Sequence, residues 1–195
     1  LPQGTFSGTN FGYSGTALAY NAARNSLFIV GHDVHQMVAE VTIPEIIRAP
    51  AVTGLARATF LQMFADVTEG KLNALLNPGD PNAKKIGGLL PYGGKLVVSG
   101  YAYYDGAGRQ AVSHFVSGMD LSVTGDVQGP FPMAAPRTGF VSGYMGTIPQ
   151  AWQGALGGPA LTGNCCIPII SRTSYGPAAF AFDPADEGVK TPIPA

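Results

Sequence analysis

The alternation of apolar and polar positions predicts that the chain is built from short β-strands separated by tight turns. Residues 15–20 are small and mostly apolar, residues 27–30 form a near-continuous apolar run, and residues 37–42 alternate between apolar and polar side chains. A continuous apolar run is expected of a strand buried on both faces, and alternation is expected of a strand nearer an edge. These three segments therefore predict an antiparallel meander.

The same order of a short strand, a buried strand and a return strand recurs twice further along the chain. In the second unit the predicted strands are residues 88–92, 95–104 and 110–119. In the third unit they are residues 141–146, 166–171 and 178–183. We therefore expect one domain of residues 1–195, with units at about 15–66, 86–124 and 138–186.

Two insertions separate the predicted strands, at residues 68–85 and 149–163. Residues 68–76 are rich in helix formers and are followed by Asn77-Pro78, which ends a helix. A second short helix is expected around Trp152, because Pro149 suits a helix start and Gly157 suits a helix end.

The composition favours an all-β protein. Gly (27) and Pro (16) exceed a fifth of the chain, yet 46% of residues are hydrophobic and only 12% are charged. Disorder requires few apolar residues and a high net charge, which this chain lacks. Many turns between many short apolar segments therefore indicate a packed β-structure.

The first unit resembles a known repeat family. The segment YNAARNSLFIVGHD, followed by AEVTIP, is similar to β-propeller repeats of the surface-layer (YVTN-like) type, although Ala22 stands where those repeats carry proline. The resemblance covers residues 15–45 well and the other two units loosely. It implies a β-propeller-like array of about three antiparallel meander blades, and it says little about activity because propellers host unrelated functions.

Three blades are too few to close a propeller, which needs about four or more. The open ends would leave strand edges and apolar faces that invite pairing. We therefore expect the chain to be part of a larger propeller, or to assemble with other copies of itself. The alternative is that the three meanders pack as a sandwich or an irregular barrel.

Charge and hydropathy narrow the expected partners. The formal net charge of −1 gives no electrostatic reason to expect nucleic acid, and no apolar run approaches the roughly 20 residues of a transmembrane segment. The chain begins at Leu1 rather than Met, and it is rich in Gly, Ser, Thr and Tyr. These features favour a mature exported segment that is secreted, periplasmic or on the cell surface.

Candidate metal ligands follow the first buried strand. His32, Asp33 and His35 lie in one turn, and imidazole and carboxylate groups are normal ligands of Zn or Cu. Their spacing matches no specific motif, so the alternative is a polar turn in which Asp33 caps backbone amides. No cofactor is predicted beyond a metal ion, Ca, Zn or Cu, at this turn.

His114 is a candidate ligand-binding residue in the second unit, because it lies among apolar and serine neighbours in the predicted return strand. The alternative is a histidine whose hydrogen bonds are satisfied in the core. The sequence contains no Gly-x-Ser-x-Gly motif and no other sign of a nucleophile.

The adjacent cysteines Cys165 and Cys166 are the only two in the chain. They either close a vicinal disulfide, whose ring strains the peptide bond, or remain as two thiols on opposite faces of a strand. Some propeller dehydrogenases carry such a ring beside a quinone cofactor.

Aromatic residues are numerous for so lightly charged a chain. Exposed at the ends of blades, they would stack on sugar rings or anchor a protein partner, and otherwise they fill space between blades. The candidates are Tyr101, Tyr103, Tyr104, Tyr144, Trp152 and Tyr175.

Two functions follow from these features. The first is an exported β-propeller binding or assembly module that binds a glycan or a protein, since no catalytic constellation is evident. The second is a propeller oxidoreductase or hydrolase whose metal or quinone site is completed by further blades.

Overall fold

Three four-stranded antiparallel sheets form the framework of the protein. The computed structural model describes residues 1–15, 17–75, 84–103, 110–133, 141–164, 179–186 and 193–194.

Sheet 1 contains β1 (Leu18–Asn21), β2 (Ser26–Val30), β3 (Val38–Thr42) and β4 (Phe60–Ala65). Sheet 2 contains β5 (Lys84–Tyr92), β6 (Lys95–Ala102), β7 (His114–Gly118) and β8 (Gln128–Phe131). Sheet 3 contains β9 (Val141–Thr147), β10 (Ala160–Asn164), β11 (Ala179–Phe182) and β12 (Ile193–Pro194).

Each strand pairs with the next along the chain, so every sheet is a meander and none is closed. The all-β prediction with antiparallel sheets is confirmed. Among the described residues, the helical elements are α1 (Gln150–Leu156) and two 3₁₀ turns, Val52–Gly54 and Lys71–Ala74. The helix predicted around Trp152 is confirmed: Pro149 precedes it, and Gly157 ends it with a φ of 80°.

The third sheet differs from its predicted form. Residues 160–163, expected within an insertion, belong to β10, which pairs with both β9 and β11. The strand is rich in Gly, Thr and Asn, so its apolar content is too low for hydrophobic periodicity to detect. The buried strand expected at 166–171 lies outside the described residues. The helix expected over 68–76 is only a 3₁₀ turn.

Sheet 2 lies between the other two sheets. Alternate residues of β6 enter different cores, with Leu96 and Val98 packing toward sheet 1 and Val97 packing toward sheet 3. The core shared with sheet 1 includes Phe28 and Phe115, both fully buried. Sheet 2 is therefore buried on both faces, as its continuous apolar run predicts.

Sheets 2 and 3 approach each other through their backbones. A Cβ atom on Gly87 would overlap the carbonyl oxygen of Ser142, and one on Gly88 would overlap that of Gly143. Ser99 Oγ donates a hydrogen bond of 2.8 Å to the same Gly143 oxygen. Glycine is thus required at both positions of β5, because no side chain fits between the two strands.

The outer face of sheet 1 is covered by the N-terminal segment, residues 1–15. Phe6 packs edge-on against Phe60 at 4.8 Å between ring centroids, and Phe11 lies 4.7 Å from Phe64. The expectation that this whole face is open is therefore wrong over the outer strands. On β1, however, Leu18 remains 58% exposed.

Candidate functional site

Two adjoining cavities lie where sheets 1 and 2 meet. Cavity A, of about 800 Å³, is lined by Arg24, by residues 61–65 of β4 and by residues 119–122 of the loop after β7. Cavity B, of about 520 Å³, is lined by residues 18–23, by residues 89–94 and by residues 145–147 of β9. Asn21, Ala23, Gly94 and Met119 line both cavities, so together they form one groove.

A buried carboxylate holds three of the residues that line this groove, Asn21, Arg24 and Gln62. Glu40 lies on β3 between Ala39 and Val41, and its side chain is fully buried on the face that packs toward sheet 2. The register places it opposite Phe28 of β2 and Gln62 of β4. A buried charge is tolerated only where hydrogen bonds and opposite charge replace water.

Four side chains donate to Glu40. Oε1 accepts from Asn21 Nδ2 at 2.9 Å and from Ser26 Oγ, while Oε2 accepts from Arg24 Nη1 at 2.8 Å and Gln62 Nε2 at 2.7 Å. The carboxylate oxygens are therefore saturated by donors from the end of β1, from the turn that follows it, from β2 and from β4. This network therefore fixes the positions of Asn21, Arg24 and Gln62 on the groove wall.

Gln62 extends the network to the neighbouring sheet. Its Nε2 also donates to the carbonyl of Met119 at 2.9 Å, and its Oε1 accepts from the backbone amide of Leu121 at 2.8 Å. One amide side chain therefore holds β4 to the loop after β7. Both walls of cavity A are positioned by the same residue.

The rim of cavity A carries opposite charges. Arg24 is half-exposed, with a side-chain exposure of 46%, and Asp120 lies on the facing loop. Hydrogen bonds from the Ser122 hydroxyl and amide lower the pKa of Asp120 below its usual value, since they stabilise the ionised carboxylate. The rim therefore holds an anion and a cation at neutral pH.

β4 is the outer strand of sheet 1 and forms one wall of the cavity. It pairs with β3 on one side, and within the described ranges no strand pairs with its other edge. Leu61 and Met63 are 38% and 45% exposed. The wall thus offers main-chain groups of an edge strand together with apolar side chains.

The predicted metal ligands have other partners. Asp33 accepts an ion-paired hydrogen bond of 2.7 Å from Lys85 Nζ, and His35 Nδ1 lies 2.9 Å from Thr9 Oγ1. His32 Nδ1 accepts from the Val34 amide at 3.2 Å. The imidazole rings of His32 and His35 lie 5.0 Å apart, measured between their centroids. In the part of the chain that the structure describes, no three potential ligands form a metal-binding cluster.

His114 lies in the core between sheets 2 and 3, away from solvent. Its Nε2 is 3.1 Å from Thr162 Oγ1 of β10, its Nδ1 is 2.9 Å from Ser113 Oγ, and its ring packs edge-on against Phe182. The side chain is fully buried. His114 is therefore a core histidine whose two ring nitrogens have hydrogen-bond partners, and it does not face a ligand site on the surface.

The candidate aromatic residues are dispersed. Tyr101 is buried, whereas Tyr103, Tyr144 and Trp152 are more than half exposed. None of these four lines cavity A or cavity B. Other candidates lie outside the described residues: Tyr104, Cys165, Cys166 and Tyr175.

The sequence signal for the groove was weak. Glu40 occupies a polar position in an alternating strand, where a solvent-facing carboxylate is the ordinary expectation. The structure shows instead that Glu40 is fully buried and that Gln62 lies opposite it. Gln62 itself follows an apolar pair and carries no motif.

Comparisons with profiles of known protein families, with curated proteins and with solved structures found no match. Among the described residues, no helix has both the length and the hydropathy needed to cross a membrane.

Proposed function

We propose that the chain is an exported binding module of propeller-like architecture, and that an extended segment of a partner protein binds along β4 in cavity A. The observation that carries this proposal is the coincidence of an edge strand with a cavity. Five consecutive residues of β4, 61–65, line about 800 Å³ of open volume. A peptide laid there would add a strand to sheet 1 through main-chain hydrogen bonds.

The arrangement of the sheets supports the propeller-like part of the proposal. Each sheet is a four-stranded meander, and the first strand of sheet 2, β5, packs against the first strands of both neighbours, β1 and β9. In a propeller, the first strand of every blade faces the common axis. The groove lies at one end of these inner strands, a usual position for ligands in such folds.

The groove surface suits a polypeptide. Met63, Met119 and Met145 contribute flexible apolar side chains, which adapt to partners of different shape. Arg24 and Asp120 provide opposite charges at the rim, which can orient the charged groups of a peptide. The exposed aromatic candidates Tyr103, Tyr144 and Trp152 lie outside the groove, and the tyrosines that line cavity B, Tyr20 and Tyr92, are absent from the lining of cavity A.

Selection from a random peptide library against the intact chain tests the proposal. Selected peptides should bind at least about tenfold more weakly to the double variant Leu61→Lys/Met63→Lys, since each extra 1.4 kcal/mol is a factor of ten. The control is Val52→Lys, because Val52 is 82% exposed and lies outside cavity A. Isothermal titration calorimetry gives the affinities.

Main-chain pairing has its own signature. Two versions of a selected peptide should be made, one N-methylated at its odd residues and one at its even residues. One version should lose binding and the other should keep it, because only every second amide of an added strand faces β4. Equal affinity for the double variant, or binding to a glycan array with no peptide selected, would overturn the proposal.

The exposed side of β1 supports the assembly part of the proposal. Leu18 and Tyr20 are 58% and 54% exposed on β1, which pairs with β2 and, within the described ranges, with no other strand. The net charge of −1 gives little repulsion between copies. We propose that a second copy covers this face in the isolated chain, in the place where the rest of a propeller would pack.

Sedimentation of the chain alone tests the assembly. Wild type should sediment as a dimer or larger species at micromolar concentration, and Leu18→Glu/Tyr20→Glu should sediment as a monomer with an unchanged circular dichroism spectrum. A monomeric wild type that unfolds cooperatively would show instead that the three sheets are complete by themselves.

A further inference from the structure

Lys84 is a buried cation with no anionic partner among the described residues. It is the first residue of β5, and only 1% of it is exposed. Its ammonium group, which has three donors, makes one hydrogen bond, of 3.3 Å to the carbonyl of Asn73. Among the described residues, no carboxylate lies within ion-pair distance of it. Burial of an ammonium without a counter-charge is strongly unfavourable.

The next residue shows the usual solution to this problem. Lys85 points to the opposite face of β5, and its Nζ lies 2.7 Å from Asp33 Oδ2 and 2.9 Å from the Asp33 carbonyl. Two consecutive lysines of β5 thus have different surroundings. The first faces a cavity, and the second is paired with a carboxylate.

The cavity beside Lys84 has a volume of about 150 Å³ and is lined by residues of three segments. At about 30 Å³ per water molecule, this is the space of about five waters. It therefore has room for a small anion together with one or two waters. Residues that line it include His35, Asp66, Thr68, Asn73 and Lys84.

Asp66 lines the cavity, but its oxygens are directed to its own turn. Oδ1 accepts from the Thr68 amide at 2.9 Å and from the Thr68 hydroxyl at 2.7 Å, and Oδ2 accepts from the Gly70 amide at 2.7 Å. Three donors therefore satisfy this carboxylate. Its repulsion of an incoming anion is reduced by those dipoles, although it is not removed.

His35 offers a second donor in the tautomer whose Nδ1 accepts from the Thr9 hydroxyl and whose Nε2 carries the proton. Its Nδ1 is occupied by Thr9 Oγ1 at 2.9 Å, and among the described residues its Nε2 makes no hydrogen bond. The ring is exposed at the mouth of the cavity, whereas Lys84 is at its buried side. The two side chains thus line the same small volume.

We infer that this cavity is a binding site for a small oxyanion, either a carboxylate or a phosphate group, held by Lys84 Nζ with His35 Nε2 at the entrance. The anion provides a counter-charge that the described part of the chain does not supply, and a charge-assisted hydrogen bond to a buried ammonium is stronger than one to an exposed lysine. The site is separate from cavities A and B, so it does not depend on the proposed function.

Titration of the intact chain with sodium phosphate and with sodium acetate, at ionic strength held constant with chloride, tests the inference. Wild type should bind at least one of the two with a millimolar or lower Kd, measured by calorimetry and by the NMR shift of the Lys84 side chain. Lys84→Met should weaken binding by at least about tenfold, and His35→Ala by about threefold. Phosphate binding without acetate binding identifies a phosphate ligand, and the reverse identifies a carboxylate.

Lys95→Met is the matched control, since Lys95 is an exposed lysine of sheet 2 far along the hairpin from Lys84. It should leave both affinities unchanged. Lys84→Met changes a buried residue and could weaken binding through misfolding. His35→Ala changes an exposed residue, so weaker binding by this variant is not explained by misfolding. The inference is overturned if wild type binds neither anion, or if Lys84→Met and His35→Ala bind as tightly as wild type.

Discussion

The two interfaces of sheet 2 are built differently. Toward sheet 1, long polar side chains cross the interface: Gln62 binds the loop after β7, Lys85 pairs with Asp33, and Gln36 Oε1 accepts from the Ile86 amide at 2.6 Å. Toward sheet 3, two strands touch backbone to backbone at Gly87 and Gly88.

This difference determines how each interface responds to change. A long side chain can shift its rotamers, so the loss of one hydrogen bond is partly compensated by neighbours and by water. A backbone contact has no such freedom, because an added methyl group must displace a whole strand. The interface with sheet 3 should therefore be intolerant of small substitutions, and the interface with sheet 1 should respond in a graded way.

The largest expected effect is that of Gly87→Ala. The new methyl group would overlap the Ser142 carbonyl, so β9 must move away from β5. We expect a loss of about 3 kcal/mol or more in the free energy of unfolding, at the upper end for overpacking. Urea denaturation measures it.

Gly146→Ala is the control for that variant, because a Cβ at this position of β9 meets no atom within 4 Å. It should change stability by less than about 1 kcal/mol. Similar losses for both variants would show that the close approach of β5 and β9 is not the cause.

A smaller effect is expected for Glu40→Gln, which keeps the shape of the side chain but turns one acceptor into a donor. Arg24 then loses its ionic partner, and Asn21 or Gln62 faces an amide hydrogen. The cost should be about 2 kcal/mol, within the range for a buried group left unsatisfied. Thermal and urea unfolding measure it, with the exposed Glu45→Gln as the control.

Thr162→Val should cost less. The substitution conserves shape and removes only the hydroxyl 3.1 Å from His114 Nε2, a link between sheets 2 and 3. A single hydrogen bond contributes about 1 kcal/mol. The exposed Thr147→Val in the same sheet is the reference, and equal stability of the two variants would contradict a role for this link.

The smallest effect concerns the exposed margin of the interface with sheet 1. Ser122→Ala removes the hydroxyl that donates to Asp120 at 2.6 Å, so the pKa of Asp120 should rise toward 3.8. The pKa is lowered in the folded state, so any stabilisation is present above the unfolded pKa and is lost as the pH falls through the folded value. Carboxyl ¹³C shifts against pH measure the change, and a shift equal to that in Thr124→Ala would contradict the assigned cause.

The sequence predicted the parts of the fold that local patterns determine. The predicted strands 88–92 and 95–104 leave Gly93-Gly94 as their turn, and the structure confirms it: both residues have positive φ and join Tyr92 to Lys95 in a two-residue hairpin. The apolar residues 58–64 predict a further strand, either the outermost strand of the first unit or a lead into the next, and the structure has β4 as the outer strand of sheet 1. Sheet 3 was predicted less well because β10 has few apolar residues and is defined by its pairing partners.

The candidate site depended on information that no local pattern contains. Glu40 and Gln62 are separated by 22 residues and meet only because β3 and β4 pair with two irregularities in register. Bulges of this kind change which face a side chain occupies, so alternation alone cannot assign it. The environment of Lys84 could not be predicted from local patterns either. It depends on the turn at Asp66, where donors of Thr68 and Gly70 occupy the carboxylate oxygens.

The N-terminal segment has a consequence for motion. It covers sheet 1 with the rings of Phe6 and Phe11, yet its only strand-type bridge among the described residues is internal, between Phe6 and Thr9. Lifting it away breaks no ladder of the three sheets. The free energy of opening such a segment is expected to be much lower than that of global unfolding. Proteases should therefore cut within residues 1–15 much faster than global unfolding allows. The rate of cleavage then reports how often the segment detaches from sheet 1.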